Sequence, residues 1–466
     1  MTKRFLVVVC LLLLSVSAFA ADGRYLVGFK SGVPSGFVNA VNAAGGQVVF
    51  EHRILAIVSG LDDASAASLG KLNGVSEVQA DESFTLDVAA SEAETAFDGP
   101  ASPTNPATAV FYSRQWHMRA IGANVAWAAG RLGSPNVKVA ILDTGIDKRS
   151  SPHADLAGHV NYALGAQFQL DNPLCYPVGY PFQPTDDLMF HGTHVAATVS
   201  SNAVAAAGVT SMVTLIPVKV LGLTNTPPAV ASPGTCTGGS GSLGAVLAGV
   251  LYAADIDADV ANMSLGGGFY KMGNGRYVGL ISQTFNYAHS KGLLVVVAAG
   301  NESTDLDHDG PLYKTYCGSP NTVCVSALGP TKATTSLVFE NVDSFASYSN
   351  YGRSAINVAA PGGTGSGVPA NNRQRGYVTA ACSRAAISAG LSICGTGTFV
   401  VGSNGTSMAA PHVSGLAALI VENVGKDNPA QVKAILQQSA DDLGQPGTDP
   451  IYGKGRINVP AALGLQ

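Results

Sequence analysis

From residue 137 to residue 298 the chain alternates short, continuous apolar runs with helical patterns, and no other feature limits the fold as strongly. The runs VKVAILD (137–143), LIPVKVL (215–221), VANM (260–263) and LLVVVA (293–298) have strand length and little polar alternation. Strands buried on both faces read this way. Helical patterns at 243–254 and 282–290 fall between them. The expected fold class is therefore α/β, a mainly parallel sheet with helices on both faces. Composition agrees, with 46% hydrophobic and only 12% charged residues and 55 glycines among 466 positions. That length accommodates one large core plus a smaller domain. A net charge of −5 gives no reason to expect nucleic acid or an anionic membrane as partner.

Three short stretches carry chemistry. In residues 137–147, VKVAILDTGID, the apolar run ends at Asp143 and a Thr-Gly turn follows, which puts a carboxylate at the carboxyl end of a buried strand. Open α/β sheets bind their ligands there. In HGTHVA (191–196), His191 stands at the start of a small-residue helix, so its imidazole projects beside the same cleft. In SNGTSMAAPHVSG (403–415), Ser407 sits where a glycine loop turns into an apolar helix. A hydroxyl needs a base within hydrogen-bond reach and donors for the developing oxyanion, and a helix N-terminus supplies positive potential. A serine there also reads as a plain N-cap. The order Asp, His, Ser is one of the permutations of the serine-protease triad.

These motifs, with VANMSLGGG (260–268), VVVAAGNE (295–302) and YGKGRINVPAA (452–462), resemble the subtilisin-like serine proteases of the subtilase family over about residues 110–466. The resemblance implies a serine endopeptidase that hydrolyses peptide bonds through an acyl-enzyme. Asp143, His191 and Ser407 would form the triad, with Asn301 as oxyanion donor. It also implies a substrate strand lying between Gly239-Ser240-Gly241 and Ser264-Leu265-Gly266, with Leu243 where many members carry a larger aromatic. The segment GSGSLG (239–244) fits G-x-G-x-x-G, but a Pro- and Cys-containing loop precedes it where a dinucleotide site needs a strand end. The alternative function is an inactive subtilase-like scaffold that binds peptides without cutting them. Asn262, Asn301 and Asn404 head N-x-[ST] sequons that fall inside the motifs, and His194 and His412 read as helix-packing groups.

Residues 1–20 read as a signal peptide: Lys3 and Arg4, an apolar run, then Ala18-Phe19-Ala20. The product is expected to be secreted, with no membrane association after signal removal. Residues 21–87 read β-α-β-β-α-β, a ferredoxin-like order, with Asp62 or Asp63 capping the second helix and SEVQADESFTL (76–86) as the last strand. In the resemblance this is the propeptide, an inhibitor of its own protease and an aid to its folding. Residues 88–110, with three prolines and no periodicity, read as a linker holding the maturation site, and 111–466 as the peptidase domain. The expected partners are polypeptide substrates and the chain's own propeptide, for a monomer.

Six cysteines follow the signal: Cys175, Cys236, Cys317, Cys324, Cys382 and Cys394. An exported chain favours three disulfides, and the sequence-adjacent pairs 317/324 and 382/394 would leave Cys175 with Cys236 among the 15 connectivities. No C-x-x-C is present. No cofactor is required for the chemistry. A structural calcium ion is an open expectation with no ligand assigned: Asp155 matches a family ligand, but the loop that would complete its site is shortened to 201–209. The DLDHDG run (305–310) starts like a calcium loop without the closing glutamate.

Overall fold

The computed structural model describes residues 23–465 except 87–88, 91–92, 96–98, 150, 178, 225–235, 237, 268, 271–274, 364–375 and 389–390. The signal-peptide reading of residues 1–20 lies outside the described residues. By contacts the chain divides into two units, Met1–Glu82 and Ser83–Gln466.

In the smaller unit the elements run β1 (Tyr25–Phe29), α1 (Phe37–Ala43), β2 (Gln47–Glu51), β3 (Leu55–Ser59), α2 (Asp63–Leu69) and β4 (Val75–Ala80). The antiparallel sheet has the order β2-β3-β1-β4, the ferredoxin-like arrangement expected. Val27, Phe29, Phe37, Val41 and Val58 fill its core. Asp62 is the cap of α2, accepting the Ser65 N–H at 2.8 Å. The last expected strand divides in two. Its first half is β4, whereas Ser83–Leu86 belongs with the larger unit.

That unit opens with β5 (Ser83–Leu86), β6 (Ala89–Ala90) and β7 (Glu94–Thr95), then α3 (Trp116–Ala120), α4 (Ala123–Ala128) and β8 (Lys138–Asp143). Next come β9 (Ala166–Gln167), α5 (His191–Val199), β10 (Thr214–Lys219), β11 (Leu221–Thr224), β12 (Gly238–Ser242) and α6 (Leu243–Asp255). They lead to β13 (Val260–Met263), β14 (Phe269–Tyr270), α7 (Gly275–Ser290), β15 (Leu294–Ala298) and β16 (Leu312–Tyr313). Strands β17 (Thr322–Gly329), β18 (Lys332–Ala333), β19 (Phe339–Glu340), β20 (Ser344–Phe345), β21 (Val358–Pro361), β22 (Val378–Ala381) and β23 (Phe399–Asn404) follow. Helices α8 (Thr406–Val424), α9 (Pro429–Gln438) and α10 (Val459–Ala462) close the chain.

The central sheet has the order β20-β17-β15-β13-β8-β10-β9, with β21 also on β17, and only the β20 pairing is antiparallel. Its two faces are both covered. Val139 and Ile141 of β8 join the core that contains α5 and α8, while Leu142 meets Gly249 of α6 on the other side. Successive side chains of a strand point to opposite faces, so a strand apolar throughout requires a helix on each. Helix α7 begins seven residues before the 282 read from sequence. Gly275 and Gly279, poor helix formers, mask its start. No helix among the described residues is long and apolar enough to cross a membrane.

Three disulfides tie the larger unit: Cys175–Cys236, Cys317–Cys324 and Cys382–Cys394. The first bridges two long insertions, and the others each clip one loop.

Candidate active site

Strand β8 has β13 on one side and β10 on the other, both parallel and both later in the chain. The strand order therefore reverses at its carboxyl end, where crevices form in open α/β sheets. Asp143 is the last residue of β8 and fully buried. Its Oδ1 accepts from Thr144 N at 2.7 Å and lies 2.7 Å from His191 Nδ1, which fixes the ring's Nδ1–H toward the carboxylate. The buried His191 Nε2 has no hydrogen-bond partner among the described residues. An imidazole held at one nitrogen and bare at the other is set to accept a proton there.

The start of α5 is locked by residues that the motif reading did not single out. Asp187 accepts the N–H groups of Met189, Phe190 and Thr193 at 3.0, 3.0 and 2.8 Å, and the hydroxyls of Thr144 and Thr193 at 2.8 and 2.6 Å. A carboxylate at a helix N-terminus satisfies donors that the helix itself leaves open. Thr144 Oγ1 accepts Gly192 N–H at 2.9 Å, so the Asp143 turn and the His191 helix are tied directly. Only glycine fits at 192, because a Cβ there would lie 2.0 Å from Gly145 O. Phe190, just before His191, has φ 140°, a conformation costly for a bulky residue, and its neighbours hold it there. An acidic residue four places before a glycine-flanked histidine was the available sequence signal for Asp187.

Ser407 is the second residue of α8 and buried. Its hydroxyl donates to Ser264 O at 3.1 Å, while Ser264 Oγ donates to Ser407 O at 2.7 Å. Behind this pair, Asn262 Nδ2 donates to Ser264 Oγ at 2.9 Å and Ser414 Oγ donates to Asn262 Oδ1 at 2.8 Å. The chain of bonds seats the start of α8 on the end of β13. Asn301 Oδ1 accepts Thr406 N–H at 2.9 Å and Thr406 Oγ1 at 3.0 Å, so the carboxamide's donor end, Nδ2, is the one left for the cleft. Asn262 thus holds the helix start through its buried side chain, and Asn301 is tied to the residue before Ser407.

A cavity of about 510 Å³ brings Ser407, Thr406 and Asn301 together with Leu265 and Gly266, and its remaining wall includes Ser83–Leu86. Gly239, Ser240 and Gly241 lie in β12, which has β11 on one side and β5 on the other. A Cβ at Gly241 would meet Leu221 Cδ2 and Val220 O, both at 2.7 Å, and Phe84 Cζ at 3.0 Å, which explains the glycine. Residues 239–244 therefore enter α6 from an antiparallel edge, against a dinucleotide fold. Leu243 is buried. Of the facing stretch, Leu265 and Gly266 line the crevice while Ser264 is buried beside them, and no ladder joins it to β5 among the described residues.

The calcium expectation meets unsuitable donors. Asp155 Oδ1 accepts Val204 and Ala205 N–H at 2.7 and 2.8 Å, and Oδ2 accepts Ala206 N–H at 3.0 Å. The shortened loop presents amide hydrogens where a cation requires oxygens. In the 305–310 run, Asp307 accepts from Ser354 and Asp305 from His308 and Asp307 N–H. No group of three or more metal-ligating side chains occurs among the described residues. The Asp155 stretch does not fit a calcium ion.

Three histidines, His117 of α3, His194 of α5 and His412 of α8, are buried. His117 Nδ1 is 2.9 Å from His412 Nε2, His412 Nδ1 is 2.8 Å from Met408 O, and Thr379 N–H reaches His117 Nε2 at 3.4 Å. One neutral tautomer of each ring satisfies every contact. Burial holds His412 down to about 4 and His117 well below the usual range, and His194, bonded to Val378 O, to about 3.

Residues 134–455 match the sequence model described as "Subtilase family". The chain is similar to thermitase of Thermoactinomyces vulgaris, 31% identical over 365 residues that cover 78% of this chain and 99% of thermitase. Subtilisin DY of Bacillus licheniformis is 31% identical over 347 residues, covering 73% and 96%. Fervidolysin of Fervidobacterium pennivorans is longer, and the chain matches 43% of its length at 29% identity. Among solved structures, the epidermin leader peptide processing serine protease from Staphylococcus aureus aligns with a TM-score of 0.68 over 95% of this chain and 97% of that one. At 22% identity that likeness speaks for the fold alone.

Proposed function

This chain belongs to the subtilase family of serine endopeptidases, and on that premise we propose that Asp143, His191 and Ser407 are its triad and that the protein is secreted as a self-processing precursor. The observation that carries the reading is His191, with Nδ1 on Asp143 Oδ1 at 2.7 Å and a buried Nε2 that has no partner among the described residues. Ser407 Oγ, resting on Ser264 O, turns about its Cα–Cβ bond to give its proton to Nε2 and attack the substrate carbonyl carbon. Asp143 stabilises the imidazolium that forms. Asn301 Nδ2 and the Ser407 N–H receive the oxyanion, and the imidazolium then protonates the leaving amine. Water cleaves the acyl-enzyme by the same steps in reverse order. Gly239, Ser240, Gly241, Ser264, Leu265 and Gly266 border the substrate strand.

In this reading residues 1–20 direct export, 21–87 are a propeptide that blocks the cleft, 88–110 contain the maturation site and 111–466 are the peptidase. The mature protein acts as a monomer on polypeptides. Ser407→Ala removes one oxygen and keeps the helix start. The variant should fold and accumulate uncut, while the wild type separates into a propeptide-sized fragment and a mature chain. If purified Ser407→Ala is processed at the wild-type site with no other protease present, Ser407 is not the nucleophile and the peptide-binding scaffold becomes the better reading.

A further inference from the structure

Lys219 ends β10 directly opposite Asp143, the last residue of β8, and is only 1% exposed. An ammonium has three protons to donate and accepts none. Here all three find acceptors. Lys219 Nζ donates to Thr144 O and, at 2.9 Å, to Asp186 O, and it lies 3.1 Å from Asp171 Oδ1. The Asp171 side chain has no exposed surface, and the same Oδ1 accepts Leu223 N–H of β11 at 2.6 Å.

The two carbonyls belong to the turns that carry Asp143 and His191. Thr144 follows Asp143, and Asp186 precedes Asp187, whose carboxylate holds the start of α5. These turns are in close contact. Ile146 N–H donates to Thr185 O at 2.9 Å, and a Cβ at Gly145 would lie 2.4 Å from Thr185 O and 2.7 Å from Asp186 O. Thr144 O and Asp186 O meet at one nitrogen, and without a cation there two partial negative charges would face each other out of water. A buried ion pair is often no more stabilising than apolar side chains of the same volume. Stability alone therefore does not account for a lysine at this position, whereas its place between the two turns does.

We propose that Lys219 is a positioning residue for the hydrolysis: its ammonium, bridging Thr144 O and Asp186 O, fixes the Asp143 turn against the start of α5, with Asp171 as its counter-charge. The assignment rests on the triad reading above and adds a residue that does not touch substrate. Transfer of the Ser407 proton to His191 Nε2 depends on how the ring is held, and a misplacement of about 1 Å in such a group costs about 10²-fold in rate. Asp171 extends the effect to the proposed substrate edge. It lies in the insertion that the Cys175–Cys236 disulfide ties to the segment before β12, and its bond to Leu223 joins β11 to the same lysine.

The test uses the full chain, allowed to mature, with kcat and KM measured on a peptide p-nitroanilide that the wild type cleaves. Lys219→Met combined with Asp171→Asn leaves no charge in the site and keeps an amide oxygen for Leu223 N–H, so the bridge between the carbonyls is what is lost. Per folded molecule, kcat should fall at least about tenfold while KM changes by less than about twofold. A lysine with a structural role only would lower the unfolding temperature and leave kcat per folded molecule unchanged, and that result overturns the assignment. The second variant, Asp171→Asn alone, keeps the lysine and both carbonyl bonds and is read even if the double variant does not fold. Its kcat should stay within about threefold of wild type, and a loss of about tenfold or more would place the effect in the charge pair and overturn the bridge. Full activity in Ser407→Ala defeats the triad reading instead, so the two failures are distinguishable.

Discussion

Asn301 shows how little a residue's identity says without its partners. As the head of a sequon or a turn residue it would be unremarked, but both its acceptor bonds go to Thr406, which leaves only the donor end free. Asn301→Ala should lower kcat about 10²–10³-fold, near 3 kcal/mol of transition-state stabilisation, with little change in KM. A rise in KM at unchanged kcat would mean that Asn301 binds substrate without serving the oxyanion. Asp143, His191 and Ser407 were legible because each closes or opens an element in a short motif. Asp187 and Asn262 were not, because their role is to satisfy backbone and side-chain donors brought near by folding.

At the scale of elements, the shortened loop 201–209 encloses Asp155 as an internal anion. Three main-chain N–H groups converge on Asp155, and hydrogen bonds to a charged acceptor are the stronger ones. Asp155→Ala orphans all three and should cost about 3 kcal/mol of stability. The loss should be the same in calcium and in a chelator. A loss that appears only with calcium present would return Asp155 to the role of cation ligand. The split of the expected 76–86 strand is an element-scale outcome too. Its residues favour strand throughout, and periodicity cannot tell which of two sheets takes each half. Strand β12, with an edge open to an added strand, takes the second.

The buried histidines bear on the whole molecule, since their protonation is linked to its stability. His117 is neutral in the fold and titrates near 6.5 once exposed. Below that pH the unfolded chain takes up a proton that the folded chain refuses, so this contribution to stability is lost as pH falls. His117→Gln keeps a donor toward His412 and removes the titration. Compared in a Ser407→Ala background, the variant's unfolding free energy should fall with acid less steeply, by up to about 1.4 kcal/mol per pH unit between pH 6 and 5. Equal slopes in the two chains would show that His117 is charged in the fold or already solvated. Burial acts in the opposite sense on Asp186, raised to about 7, and the comparison cancels that effect. The sequence alone determined the alternation that builds the sheet, the three motif residues and the Asp62 cap of α2, because these depend on spacing of a few residues and on apolar periodicity. Tertiary structure alone decided which N–H groups Asp155 and Asp187 receive, which histidines lose water, and where Ser83–Leu86 and Ala89–Ala90 pair. Those outcomes depend on donors, acceptors and sheet edges tens to hundreds of residues apart, whose meeting no local pattern encodes.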